Sequence, residues 1–191
     1  MSIAEILGLR PPGESRAAHT LYGSVVAQAR DRHFFSVLGV PDTLDGRFET
    51  LALHIYLLLH RLKLESWEGA GGLSRAVLET FVADMDRTLR EMGAADLGVG
   101  RRVKEMTQAL YGRIRAYEDG LDQSGDGALE AALRRNLYGT RDMPSLASLA
   151  TVAQYVRRQH TALAAQPISE LRAGRVGFVP LSDPESSEAQ A

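Results

Sequence analysis

The chain has 191 residues, 45% of them hydrophobic and 24% charged, with a formal net charge of −2 and no cysteine. That length suits one domain with a sizeable core, and the near-neutral charge excludes bulk electrostatic binding to nucleic acid or an anionic membrane. Disulfides and thiolate metal sites are excluded outright.

Residues 1–14 read as an N-terminal arm. Ile3, Ile6 and Leu7 give it a short amphipathic piece, and Pro11-Pro12-Gly13 is expected to stop any helix there. It has neither the apolar core of a signal peptide nor the Arg-rich, acid-poor composition of a transit peptide. A first helix is expected from Ser15 to about Arg32, with Leu21, Tyr22, Val25 and Ala29 on one face. The span HFFSVLGV that follows is dense in apolar residues but broken by Gly39, Pro41 and Asp45-Gly46. It folds back onto the core or, through Phe34, Phe35 and Val40, offers an apolar patch to a partner.

From Arg47 to Leu64 the chain is apolar nearly all round. Leu51, Ile55, Leu58 and Leu62 form one face, and Leu53, Tyr56, Leu57 and Leu64 another, so this is the predicted central helix. Its apolar run Leu51 to Leu59 is shorter than the roughly 20 residues a membrane span needs. Next come two striped runs, Phe81, Met85, Leu89, Met92 and then Val103, Met106, Leu110, Ile114, Tyr117, Leu121. The elbow AADLGVG between them predicts a helical hairpin that turns at Gly98 and Gly100. Asp126 is the expected cap of a short helix carrying Leu129, Leu133 and Leu137. Ser145 caps a last long helix with Leu146, Leu149, Val152, Ala153 and Val156 on its face, ended by Pro167. Residues 167–191 read as an extended or disordered tail. No strand alternation is visible. The fold class is all-α: a single compact helical domain of about six helices over residues 15–166, with an extended C-terminal segment.

Catalytic patterns are missing. His54 and His60 lie six apart on one helix, on opposite faces, whereas a helical metal pair needs a spacing of about four. Asp84 and Asp86 are better matched to Arg87 and Arg90 as helical ion pairs than to a divalent metal. Gly98-Val99-Gly100 is too short for a phosphate loop, and no nucleophile elbow is present. The residues therefore support no metal or cofactor and no enzyme. The alternatives they leave open are a metal-dependent helical enzyme on an isoprenoid or quinone-type substrate, and a lipid- or haem-binding helical module with His54 or His60 as haem ligand. Apolar surface set among fixed charges suits a protein that binds another polypeptide.

Three ordered blocks, ARDRHFFSVLGV, GVPDTLDGRFETLALHIYLLLHRL and DMDRTLREMGAADLGVGRRVKEM running on into LYGRIRAYEDGL, resemble the ubiquinol–cytochrome c chaperone family of respiratory complex III assembly factors. With no transit-peptide composition, the chain is most similar in kind to bacterial members. The resemblance implies an all-helical assembly factor, not an enzyme, whose partner is the membrane subunit cytochrome b. Family members also work with a small co-chaperone and at the ribosome. Cytoplasmic location, with transient proximity to the inner face of the membrane, is the expectation. The client-binding surface is expected at the elbow, on Asp84, Asp86, Leu89, Arg90, Met92, Asp96, Leu97, Val99, Arg101 and Lys104, with Phe34, Phe35 and Val40 as a secondary apolar patch.

Overall fold

The computed structural model describes residues 12–64, 69–93, 96–123, 125, 127–139 and 143–181, the side chains of 12–14 and 96–97 excepted. Most of the N-terminal arm, the capping role of Asp126 and the last ten residues lie outside the described residues. Among those described, six long helices and two short ones account for the regular structure, with no strand.

Helix α1 runs over Pro12–Ala29. The proline expected to stop a helix instead begins one, because a first-turn residue has no intrahelical acceptor for an N–H and loses nothing by lacking it. Ala18, Leu21, Tyr22, Val25 and Ala29 are buried at the predicted three- and four-residue spacing. The single turn α2, His33–Ser36, is started by Asp31, whose carboxylate accepts the His33 backbone N–H at 2.9 Å. The residues after it fold onto the core. Phe34 and Val40 are buried, which removes two of the three residues expected in the secondary patch, and Val37 is the exposed one.

Helix α3, Leu44–Lys63, is capped by the Thr43 hydroxyl, which accepts from the Gly46 N–H at 3.1 Å. It is central, as its sequence predicts. Leu51, Ile55, Leu58 and Leu62 enter one core cluster, with α1 and with Leu73, Val77 and Phe81 of α4, Ala70–Glu91. Leu53, Tyr56 and Leu57 enter a second cluster, with α6, Gly127–Leu137, and α7, Leu146–Ala165. Leu64, expected on that second face, is exposed just beyond the helix end. Helix α5, Asp96–Asp122, touches both clusters, through Leu110 and Tyr117.

The hairpin of α4 and α5 forms, but its turn is tighter than its glycines suggest. Gly98 and Gly100 lie inside α5, and the connection is confined to residues 92–95. Both apolar stripes converge on α1 and α3 rather than only on each other. Helix α7 starts as predicted on Ser145, whose hydroxyl accepts from the Ser148 N–H at 2.9 Å, but Leu146 faces solvent.

A buried arginine closes the other end of α7. Arg61 of α3 donates from Nε to the Leu163 carbonyl at 2.8 Å, which also accepts the Gln166 N–H at 3.2 Å, and from Nη2 to the Gln166 carbonyl at 2.9 Å just past the helix end. Arg61→Met keeps much of the volume but removes both bonds and leaves the Gln166 carbonyl without this partner, so a loss of about 1–3 kcal/mol is expected in a urea titration. Beyond Pro167 the chain makes a short helix, α8, Ile168–Arg172, where the sequence shows no periodic signal. Residues 174–181 then return along α7. Gln159 clamps Val179, accepting its N–H at 3.0 Å, and Leu181 is buried in the second cluster. No described helix is long and apolar enough to cross a membrane.

Candidate functional site

A cleft of about 230 Å³ opens where α1, α3, α4 and α5 meet. Helix α1 contributes Val26 and Ala29, Arg30 follows directly after its end, and α3 contributes Leu44, Arg47, Phe48 and Leu51. The third wall is Asp84, Met85, Thr88 and Leu89 of α4, and Met106 of α5 closes the fourth side. Each helix turns its core stripe inward, and near this end the four stripes fail to close over one another. Phe48, Leu51 and Met85 at 8% exposure and Leu89 at 7% are the edge of the core seen from outside. The floor therefore pairs two rigid residue types, an aromatic and leucines, with two methionines whose unbranched side chains adapt to irregular shapes.

The rim is charged, and most of its charges are already paired. Asp84 accepts a hydrogen bond from Tyr22 Oη at 2.8 Å and pairs with Arg87. Burial, then the hydrogen bond to Asp84, pushes the Tyr22 phenol well above its usual range, so it remains a donor. Asp84 thus ties α4 to α1. Arg47 pairs with Asp42 at 2.7 Å, and its guanidinium lies 5.7 Å from the centre of the Phe35 ring. Arg30 is exposed and pairs with no carboxylate among the described residues.

The residues singled out in the sequence separate in space. Asp84 and Leu89 line the cleft. Asp86 and Arg90 pair with each other at 2.7 Å on the exposed face of α4. Met92 is exposed, and Arg101 and Lys104 are exposed on the first turns of α5. Val99 is fully buried and unavailable to a partner. The side chains of Asp96 and Leu97 lie outside the described residues. Phe34 and Val40 are core, and Phe35 reaches the cleft only through Arg47. The elbow is therefore not one surface. Sequence reasoning missed Arg30, Arg47 and Phe48, which come from segments far from the elbow, and no local pattern marks them.

Two chemical alternatives can be placed against these contacts. Asp84 and Asp86 are each bound to a different arginine, and no group of three or more His, Asp or Glu residues is placed to hold a metal ion among the described residues. His54 is fully buried, with Nδ1 2.7 Å from the Thr50 carbonyl and Nε2 2.8 Å from Tyr155 Oη, so neither nitrogen is available to haem iron. His60 is not on the opposite face as expected: it meets His160 of α7, the helix whose Tyr155 contacts His54, with 3.0 Å between the two Nε2 atoms. Burial, and then the neighbouring His160, hold the His60 imidazolium below its usual range.

Fold and cleft define a class: an all-helical bundle whose recess is apolar, solvent-open and rimmed by paired charges. The chain belongs to the ubiquinol-cytochrome C chaperone family, whose model matches residues 36–178. It is 31% identical over 144 residues to ubiquinol-cytochrome-c reductase complex assembly factor 1 of Xenopus laevis, covering 75% of this chain and 70% of that protein. Protein CBP3, mitochondrial, of Saccharomyces cerevisiae is 26% identical over 151 residues, 78% of this chain and 45% of that protein. The chain thus matches less than half the length of the yeast relative. The crystal structure of the Cbp3 homolog from Brucella abortus aligns with a TM-score of 0.77 at 34% identity, covering 88% of this chain and 92% of that one. Because the family match begins at Ser36, α1 and Arg30 lie outside it, while the α3, α4 and α5 walls of the cleft lie inside.

Proposed function

We propose that this chain is an assembly factor for ubiquinol–cytochrome c reductase that holds the cytochrome b subunit before it joins its partners, working by binding rather than catalysis. Membership of the chaperone family carries this reading, with relatives named as assembly factors of that reductase. The cleft supports it physically. A protein that shields an apolar membrane subunit for a limited time needs apolar contact area that adapts and releases, and a methionine-lined recess with a charged rim supplies that. The site of action is the cytoplasmic face of the membrane, next to the client's point of insertion.

Deleting the gene in its own host and recording haem spectra of the membranes tests the function. Selective loss of the b- and c-type signals of the reductase, restored by this chain, is expected. A normal spectrum in the deletion strain rejects the proposal. Complementing with Leu89→Glu, which places a charge at the cleft floor, is expected to lower reductase recovery several-fold, provided circular dichroism shows the variant folded.

A further inference from the structure

The contacts around the cleft point to a more specific occupant. We infer that it receives an amphipathic helical segment carrying an acidic side chain, which pairs with Arg30. This inference rests on the assembly-factor reading and names the kind of segment bound at that same site.

Size is the first reason. At about 230 Å³ the cleft is smaller than the roughly 300–1,000 Å³ of sites that enclose a cofactor or small molecule. It suits a few side chains inserted from a segment lying across the mouth. Backbone geometry is the second. No strand exists among the described residues, so no sheet edge is offered to an extended peptide, whereas a groove between helices with an apolar floor is the form that takes the apolar face of a helix.

Charge is the third. Of the charges lining the cleft, Asp84 is committed to Tyr22 and Arg87, and Arg47 to Asp42. Arg30 is the rim guanidinium left with no carboxylate partner among the described residues. It follows Val26 by one helical turn, and both line the cleft, so a cation stands directly beside apolar floor. A docking helix with apolar anchors on one stripe and an Asp or Glu one turn away matches that order. The acid sets the register of the helix by pairing with Arg30.

Two synthetic helical peptides of sixteen residues test the inference. They share apolar anchors at i, i+3, i+4 and i+7 and differ only in one Asp or Asn a turn away. Fluorescence anisotropy with the full chain is expected to show the Asp peptide binding about five-fold tighter at low salt. The preference is expected to vanish in Arg30→Gln, an exposed substitution that leaves the fold intact. Equal affinities in the wild-type chain, or a preference that survives in Arg30→Gln, overturn the acidic-partner inference while leaving peptide docking and the assembly role standing. Absence of binding by both peptides overturns it as well, and the haem spectra decide the assembly role separately. Arg30-dependent binding to vesicles of 30% anionic lipid, with no peptide binding, also overturns it, assigning Arg30 to a membrane surface.

Discussion

Gly46→Ala is expected to destabilise the chain by about 3 kcal/mol or more, the largest effect of adding a single methyl group to this fold. A Cβ built on Gly46 would stand 1.9 Å from the Pro41 carbonyl oxygen, far inside contact distance, and the obstacle is backbone that no rotamer change can move aside. The close approach exists because Thr43 both ends the turn after Pro41 and caps α3, so chain and first helical turn are folded against each other. Relieving the clash displaces Leu38 and Val40 from the second cluster or shifts the start of the central helix. Either movement also shifts Leu44 and Arg47 at the cleft. For a chain of this size that loss corresponds to a fall in melting temperature of about 6–12 °C, measurable by circular dichroism. Gly23, where an added methyl meets open space, serves as the control, and Gly23→Ala is expected to be neutral or slightly stabilising.

Acid is expected to weaken the fold well before the carboxylates as a class become protonated, through His54. Burial is the dominant cause that lowers its pKa from 6.5 to about 4, only partly opposed by the hydrogen bond to Thr50 and the charge of Asp31. The contacts fix the neutral tautomer. Nδ1–H donates to the Thr50 carbonyl, Nε2 accepts from Tyr155 Oη, and that hydroxyl accepts in turn from Gln28. Protonated, the ring would have to donate from Nε2 to a hydroxyl already oriented to donate. With the folded pKa below the unfolded one, the unfolded chain takes up the proton first as pH falls. The stability from neutral His54 is therefore complete above about pH 6.5 and is lost on the way down to pH 4, to a total of about 3 kcal/mol. His60 shifts in the same direction and adds to the slope. Urea midpoints measured at intervals from pH 7 to pH 4 are expected to fall steeply, and His54→Gln is expected to be less stable at pH 7 but flatter with pH. Parallel pH profiles for the two proteins would show that His54 does not carry the effect.

The same histidine shows how far sequence reasoning reaches. Its place on the central helix is a property of periodicity, and the structure has it, but His54 and His60, about 120° apart around the helix, both meet α7 instead of facing opposite ways. The sequence also separates His60 from a second histidine, yet folding brings His160, a hundred residues on, to within hydrogen-bond distance of it. The elbow shows the opposite failure. Its glycines and charges look like one unit because they are adjacent in the chain. Helix α5 begins early enough to absorb both glycines, buries Val99, and leaves Arg101 and Lys104 in solvent. Asp84 and Asp86, two residues apart, serve different ends: one ties α4 to α1, the other makes a solvated pair with Arg90.

By itself the sequence determined the helical class, the central helix with its two apolar faces, the Ser145 cap and the family blocks. These are local quantities: spacing along 3.6 residues per turn says which side of each helix avoids water, and a cap needs only its neighbours. Only the tertiary structure decided where four such faces fall short of closing, and hence the cleft of Arg30, Phe48, Met85 and Met106. It likewise decided which charges were spent on internal pairs and which remained. A gap between helices belongs to none of them, and a charge becomes available only when no other segment has neutralised it. Both follow from how distant elements meet, and no single segment contains that information.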